Sequence, residues 1–555
     1  MHDDPTCLGS VEDVSGSTVG VVMKESTVSG ISFVNGSGYR VGQIGSFVRI
    51  PLGYIDLFGI VTQVGAGAVP ERLADIEPYG RRWLTVELLG ERDGGKFQRG
   101  LAQYPTIGDP VHLVTESDLI HIYGRPDEPN YVKIGNLASS ESIPAVVDIN
   151  KLINRHSAFV GSTGSGKSTS VVNLLVSLSD PTAYPSARIL LLDLHGEYSS
   201  ALEDRASVFK VRPNVSKGEQ NLYIPYWALT FDELISVTTG SVQDKERAPL
   251  FEKIIELKTD ALNHSAKDGV SAANLTVDTP VPFSLHKLWF DLHCEMHATH
   301  IETKGVGQSR STWALEIDSK GKPIQQGDPI NVIPPKFRAI KDIKGDTEKI
   351  RLSNSPLGLS RAMERLASLL RDSRYDFIFK PGSLFPDHKG VIKDDLDVLL
   401  GQWLGNENPI TILDLSGIPP SITNILVGAL LRIIYDSLFW ARNLPEGGRD
   451  MPLLVVLEEA HSYLQNREGG PACIAVERIA KEGRKYGIGI MIVSQRPSEI
   501  NSTILSQCGT IFSMRLSNPS DRGQVTSLAP DNLSGLFSML PVLRTGEIII
   551  VGESV

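Results

Sequence analysis

The chain has 555 residues, of which 41% are hydrophobic and 21% charged, and this composition predicts a soluble globular protein of two or three domains. Its net charge of −11 argues against general affinity for nucleic acid, because such affinity needs many basic side chains facing the phosphates. Any such contact therefore requires a local basic surface, which the lumen of a ring can supply. The cysteines lack disulfide or zinc spacing, which favours a reducing cytoplasm; they are Cys7, Cys294, Cys473 and Cys508.

No segment predicts a membrane span or a secretory signal. Residues 1–5 are acidic, whereas a secretory signal is basic and then apolar. The most apolar stretch, residues 425–441, is interrupted by Arg432 and Asp436, so we expect an amphipathic core helix there. We therefore expect a cytoplasmic protein without a membrane segment.

Residues 1–125 predict an all-β module. Short β-prone runs alternate with glycine and proline turns at the spacing of a small barrel or sandwich. The runs are Thr18–Met23, Phe47–Pro51, Phe58–Val64, Trp83–Leu89 and Pro110–Val114. No catalytic cluster stands out among them, so we expect this module to serve assembly or docking.

From residue 126 onward, strands alternate with helices, which indicates a parallel sheet. Residues 126–229 and 396–555 are predicted to form the two parts of one α/β core. Residues 230–395 are predicted to form a mainly helical insertion between them. The predicted core strands are His156–Val160, Ile189–Asp193, Ile410–Asp414, Leu453–Leu457, Ile488–Ser494 and Thr510–Met514.

The strongest motif follows the first core strand and has the pattern G-x-x-x-x-G-K-[ST]. Its glycines let backbone N–H groups turn toward phosphates, and the following helix points its positive end at them. We expect Lys167 to reach the β- and γ-phosphates of ATP or GTP, and Ser168 to bind Mg²⁺. A chance match is disfavoured, because strand, loop and helix occur in the required order. The predicted nucleotide-binding residues are Gly161, Ser162, Thr163, Gly164, Ser165, Gly166, Lys167, Ser168 and Thr169.

A second motif is the apolar run Leu453–Leu457, followed by Glu458 and Glu459. Such a run is typical of a strand buried on both faces, whose carboxyl end lies beside the P-loop. We assign Glu458 to a water-mediated magnesium contact and Glu459 to polarising the attacking water. The alternative is a pair of acids that cap an exposed helix start. Two adjacent acids also favour hydrolysis over nucleotide binding alone.

Two further candidate catalytic residues flank the predicted strand Ile488–Ser494. Gln495 ends it, and its amide can hydrogen-bond the attacking water or the γ-phosphate. Arg484 precedes it, and its guanidinium could complete a neighbouring subunit's site as an arginine finger. Spacing alone leaves open the alternative that Arg484 is an ordinary surface residue.

Taken in order, these motifs resemble those of the HerA family. The matching segments are Arg155-His156, Gly161–Ser168, Asp193–Tyr198, Asp414–Gly417, Glu458–His461, Glu482–Gly487 and Ser494–Pro497, with Asn518 and Asp521. The resemblance covers nearly the whole chain and is weakest in the insertion. It implies an α/β fold: a RecA-like P-loop motor of the FtsK and HerA group, preceded by the family's small β-barrel.

The same resemblance implies a homo-hexamer with ATP between subunits, double-stranded DNA in the channel and Arg484 as the finger acting in trans. In most P-loop motors aspartate occupies the position of Glu458. Three functions fit the residues: a DNA translocase or helicase, a secretion or conjugation ATPase, and an ATP-gated scaffold that activates a partner enzyme. Family precedent suggests a nuclease, or an antiviral effector such as a sirtuin-like enzyme, docked on the barrel.

Four histidines fall near one face of a predicted helix: His286, His293, His297 and His300. His293 and His297 are four residues apart, which is a spacing that metal ligands use. No further ligand set with zinc spacing is visible, so we expect a polar helix face and predict no metal site.

Overall fold

The computed structural model describes residues 4, 6–24, 27, 30–34, 37–65, 82–123, 128–138, 140–240, 242–302, 306–342, 348–352, 358–465, 469–529 and 533–555. A barrel of antiparallel strands comes first, and a larger, mostly parallel sheet flanked by helices follows.

The amino-terminal part contains a closed barrel. Its strands are β1 Cys7–Ser15, β2 Thr18–Met23, β5 Phe47–Leu52, β6 Ile55–Gly65, β7 Trp83–Asp93 and β9 Pro110–Leu113, with β8 Lys96–Arg99 added beside β7, while β3 Gly30–Val34 and β4 Ser37–Val41 form a separate pair. Six strands pair in the order β2-β1-β9-β5-β6-β7, and β7 pairs back with β2 to close the ring. Val11, Ile50, Leu57 and Val86 fill the interior. Closure leaves no free edge in this ring, which suits an all-β unit.

A short helix and a hairpin join the barrel to the second sheet. Helix α1 spans Glu116–Tyr123, strands β10 Tyr131–Leu137 and β11 Ser140–Asp148 form the hairpin, and helix α2 spans Ile149–Asn154. Asp148 caps α2 through the Lys151 N–H. The chain then enters the sheet at strand Ser157–Val160, which precedes the P-loop.

The remaining strands are β12 Ser157–Val160, β13 Arg188–Asp193, β14 Ala206–Lys210, β15 Gln220–Asn221, β16 Thr299–Ile301, β17 Ile350–Leu352, β18 Ile410–Asp414, β19 Leu453–Leu457, β20 Ile488–Ser494, β21 Thr510–Ser513 and β22 Ile549–Gly552. Nine of them form one sheet in the order β15-β14-β18-β13-β19-β20-β12-β21-β22. All neighbours are parallel except β21 and β22. Every residue of β18, β19 and β20 is buried, because helices cover both faces of a parallel sheet.

The helices of this part are α3 Lys167–Leu178, α4 Phe231–Thr238, α5 Asp244–His264, α6 Leu285–His297, α7 Ser360–Arg371, α8 Asp376–Phe379, α9 Leu396–Leu404, α10 Pro420–Trp440, α11 Pro471–Glu482, α12 Ser502–Ser506, α13 Pro519–Thr526 and α14 Ser534–Phe537. Helices α4 to α8 and the small β16–β17 pair lie within the predicted insertion, and α9 follows it before β18. The predicted fold class, an α/β P-loop motor with an amino-terminal β-barrel and a helical insertion, is confirmed. The boundaries at 125, 229 and 395 stay predictions.

Helix α10 contains the apolar stretch noted in the sequence. Among the described residues, Pro420–Asn443 is the only helical stretch long and apolar enough to cross a membrane, and 67% of its most apolar window is buried within the protein. Leu430 and Ile434 are fully buried. Arg432 pairs with Glu233 of α4 at 2.7 Å and donates to the Ala228 carbonyl. The helix therefore packs between the sheet and the insertion.

The histidine face differs from expectation. His286 is 2% exposed, not on a polar surface, and packs edge-on against Phe385. Burial lowers its pKa to about 4, so a neutral ring can pack there as an aromatic group. His293 stacks on Trp289. The described residues contain no group of three or more metal-binding side chains placed to hold an ion.

Candidate nucleotide site

Four parallel strands bring the predicted site residues to one edge of the sheet. β12, β20, β19 and β13 are consecutive neighbours, with Val160 beside Ser494 and Leu457 beside Leu192. The carboxyl ends of parallel strands share an edge, where a ligand crevice forms. The P-loop, Gln495, the two glutamates and the turn after Asp193 therefore meet there.

The P-loop connects β12 to α3. Gly164 and Gly166 have positive φ angles of 74° and 95°, which side chains other than glycine rarely adopt. The Ser165 carbonyl accepts the Gly546 N–H at 2.9 Å, which holds the loop against the segment before β22. No side chain caps the start of α3, so its first N–H groups are available to an anion. The nine predicted nucleotide-binding residues, 161–169, form this loop and the first turn of α3.

Lys167 lies at the centre of a polar network. Its Nζ donates to Glu459 Oε1 at 3.1 Å, and both side chains are buried. Gln495 Nε2 donates to the same oxygen. The Thr163 hydroxyl donates to Gln495 Oε1 at 2.6 Å. The tertiary structure thus joins four residues from three distant segments of the chain.

Glu459 is held in an unusual backbone conformation. Its φ of 45° lies in the left-handed region, a strain that tends to occur at functional sites. His461 Nδ1 lies 3.1 Å from Glu459 Oε2 and 3.3 Å from the Ser494 hydroxyl. Burial raises the pKa of Glu459, but its contacts with His461, Lys167 and Gln495 outweigh burial and lower it to about 2. The carboxylate is therefore ionised and oriented. Sequence reasoning assigned no role to His461, although it lies two residues after Glu459.

Glu458 has the opposite environment. It is 1% exposed, and its Oε2 has no hydrogen-bond partner among the described residues. Burial, followed by the charge of Glu459, raises its pKa to about 8. A buried carboxylate oxygen without a partner is costly, and a cation in the adjoining crevice would relieve that cost. Ser168 and Glu458 thus fit a magnesium site, since Mg²⁺ takes few protein ligands beside waters and phosphates.

Arg484 is not part of this cluster. It lies in the turn Gly483–Tyr486, before the amino end of β20, whereas the P-loop adjoins the carboxyl end. The seven residues of β20 separate the two edges by roughly 20 Å at ~3.3 Å per residue. The Arg484 side chain is exposed and has no ion pair among the described residues. It cannot reach the P-loop of its own subunit.

The sequence model described as "Helicase HerA, central domain" matches residues 132–434, more than half of the chain. The chain belongs to the HerA helicase family. With its P-loop site, this HerA-family protein is an ATP hydrolase of the translocase and helicase type. The family predicted from the motifs is confirmed.

Curated relatives extend over most of the chain. A probable helicase of Methanocaldococcus jannaschii is 23% identical over 97% of this chain and 88% of its own length. The DNA double-strand break repair helicase HerA of Pyrococcus furiosus is 22% identical over 87% and 78%. The protein of the same name from Saccharolobus solfataricus is 23% identical over 93% and 86%.

Two solved structures show more distant likeness. VirB4 of Thermoanaerobacter pseudethanolicus is 13% identical, covers 76% of this chain and 93% of its own, and has a TM-score of 0.45. The bacterial conjugative coupling protein TrwB is 11% identical, with coverages of 80% and 89% and a TM-score of 0.41.

Proposed function

We propose that this HerA-family protein is an ATP-driven translocase or helicase on double-stranded DNA that works in the cytoplasm as a homo-hexameric ring. The observation that carries the proposal is the division of the site. One edge of the sheet holds every predicted catalytic group except Arg484, and Arg484 lies exposed at the opposite edge. A site divided in this way is completed by the neighbouring subunit of a ring.

Residues at the P-loop edge divide the work of hydrolysis. The loop N–H groups and Lys167 bind the phosphates, so the γ-phosphate replaces Glu459 as the partner of Lys167. The released Glu459 accepts a proton from the attacking water, which Gln495 orients. Ser168 and Glu458 would hold Mg²⁺, which would neutralise charge on the phosphates. A neighbour's Arg484 stabilises the charge that develops in the transition state.

Double-stranded DNA is proposed as the substrate of translocation for two reasons. The curated HerA relatives are named DNA double-strand break repair helicases. A ring also multiplies a few basic residues per subunit into a positive lumen, which lets an acidic chain hold phosphates. We expect native mass measurement to show hexamers stabilised by ATP, and duplex DNA to stimulate the ATPase.

A strand-displacement assay distinguishes a DNA motor from an ATP-gated scaffold. A translocase should release a third strand from duplex DNA only when ATP is hydrolysed. An ATPase that is active in the ring but never displaces the third strand would favour the scaffold. Equal duplex affinity in monomer and hexamer fractions would contradict a DNA-binding lumen.

The barrel is proposed as the docking site for a nuclease or an antiviral effector such as a sirtuin-like enzyme. Its surface exposes large apolar side chains: Tyr54 is 78% exposed and Ile107 73%. Such residues are enriched where partners bind. The test is co-purification with the enzyme encoded beside this gene. Ile107→Asp should abolish co-purification of that enzyme and leave the ATPase activity unchanged. If the double variant Tyr54→Asp, Ile107→Asp still co-purifies with the enzyme, the enzyme does not dock on this barrel surface.

A further inference from the structure

The turn after β13 holds a glutamate that the proposed mechanism does not yet use. Asp193 is fully buried and accepts the N–H groups of Gly196 at 2.8 Å, Glu197 at 3.3 Å and Tyr198 at 3.0 Å. Gly196 has a φ of 72°, and a Cβ there would lie 3.0 Å from Asp414. The buried carboxylate and the glycine together determine where Glu197 stands.

Glu197 lies beside Ser168, the P-loop residue predicted to bind magnesium. The Ser168 hydroxyl donates to Glu197 Oε2 at 3.5 Å, across the gap between the start of α3 and the end of β13. Glu458 follows β19, the strand beside β13, and its buried Oε2 has no hydrogen-bond partner among the described residues. Glu197 and Glu458 therefore follow neighbouring strands at the same edge of the sheet, and Glu197 contacts the Ser168 hydroxyl.

Mutual repulsion makes such a group of carboxylates unfavourable unless a cation joins it. Mg²⁺ keeps most of its waters and contacts few protein atoms directly. Groups that bind an ion through its hydration shell are therefore part of the site, and their loss typically lowers metal affinity about 10- to 100-fold. Glu197 is exposed toward the crevice, as a carboxylate in this position must be.

We propose that Glu197 is a positioning residue of the magnesium site, which helps to hold Mg²⁺ beside Ser168 through the ion's hydration shell. This role rests on the ATP hydrolase function. It makes Glu197 the third acidic residue of the nucleotide site, after Glu458 and Glu459. Asp193 then acts indirectly, by holding the turn that carries Glu197.

The test measures binding of a non-hydrolysable ATP analogue to the full chain while Mg²⁺ is titrated. Glu197→Ala should raise the Mg²⁺ concentration needed for half-maximal binding about tenfold and leave binding in excess EDTA unchanged. Glu197→Gln should cause a smaller rise, because its amide oxygen still accepts a hydrogen bond. Glu203→Ala is the matched control: Glu203 is exposed, lies six residues further on and has no P-loop contact, so the Mg²⁺ requirement should not change.

The backbone N–H of Glu197 that binds Asp193 is retained in both variants, so the turn should stay folded. An unchanged Mg²⁺ requirement in Glu197→Ala would overturn the proposal. Equal loss of binding with and without Mg²⁺ would also overturn it, because it would assign Glu197 to loop structure alone. A wild-type chain that binds no nucleotide at any Mg²⁺ concentration would instead contradict the ATP hydrolase function itself.

Discussion

Glu458 and Glu459 are adjacent in the chain but lie in different environments. Glu459 contacts Lys167, Gln495 and His461, and its pKa falls to about 2. The Oε2 of Glu458 has no partner within the described part of the chain, and burial raises the pKa of this residue to about 8. Neighbouring environments of this kind commonly separate the roles of two carboxyl groups. Glu459 is thus ionised within a network of contacts, whereas Glu458 keeps an oxygen free for a cation; the roles of catalytic base and magnesium partner stay predictions.

Substitutions at Glu459 and Lys167 should separate chemistry from binding. Glu459→Gln keeps the shape of the side chain and removes the base, so ATP should stay bound while turnover falls by about 10²- to 10⁴-fold. Lys167→Ala removes the charge that binds the phosphates and should greatly weaken nucleotide binding. Equilibrium binding and steady-state ATPase assays measure both effects.

Glu407→Gln provides the control for these assays. Glu407 is exposed and precedes β18 at the opposite edge of the sheet, so both binding and turnover should match the wild type. Normal hydrolysis by Glu459→Gln would show that another group accepts the proton.

At the scale of elements, a buried lysine holds a loop of the insertion against its longest helix. Lys258 of α5 is 1% exposed, and its Nζ donates to the Val277 and Thr279 carbonyls, each at 2.6 Å. Burial lowers its pKa to about 7. A neutral amine has two N–H groups, which match the two carbonyls.

This lysine predicts a pH-dependent stability. The folded pKa lies below the unfolded value of about 10.4, so the unfolded chain binds more protons between about pH 7 and 10, and the contribution of Lys258 increases with pH across that window. Lys258→Met leaves the buried Val277 carbonyl without a donor and removes one of two donors from the Thr279 carbonyl, so it should destabilise by about 1–3 kcal/mol. Urea unfolding at pH 7 and pH 9 should show a larger difference from wild type at pH 9.

Lys245→Met is the matched control, because Lys245 is exposed in the first turn of the same helix. Its unfolding midpoint should stay close to that of the wild type at both pH values. If the difference between Lys258→Met and wild type were the same at pH 7 and pH 9, Lys258 would be charged throughout that range.

At the scale of the whole molecule, the nine-stranded sheet places the two halves of the proposed catalytic site on opposite edges. The Lys167–Glu459 pair lies at the carboxyl ends of the strands, and Arg484 lies at the amino end of β20. Neither half can fold over to reach the other, because buried strands span the distance between them. The proposed role of Arg484 as a finger therefore requires a second subunit.

Mixing two inactive variants tests this requirement. Arg484→Ala should bind ATP but hydrolyse it ~10³- to 10⁵-fold more slowly, since a finger acts on transition-state charge. Mixed rings of Arg484→Ala and Glu459→Gln subunits contain interfaces where an intact Arg484 faces an intact Glu459, so ATPase activity should reappear. Lys485→Ala, the exposed neighbour of Arg484, should be active alone. If mass measurement confirms mixed rings and their ATPase activity does not recover, Arg484 is an ordinary surface residue and not a finger.

The sequence alone determined the fold class, the family, and the positions of the P-loop and the two glutamates. These features are local: Gly164 and Gly166 permit the loop, and the run Leu453–Leu457 is apolar because both faces of its strand are covered. Only the tertiary structure decided which side chains meet. The contacts of Glu459 with Lys167 and Gln495 bring together three distant segments and depend on the strand order β12-β20-β19-β13. His286 was expected on a polar face and is buried, because neighbouring apolar groups such as Phe385 cover it. Contacts between distant segments depend on which strands become neighbours, and hydrophobic periodicity along one segment carries no information about that.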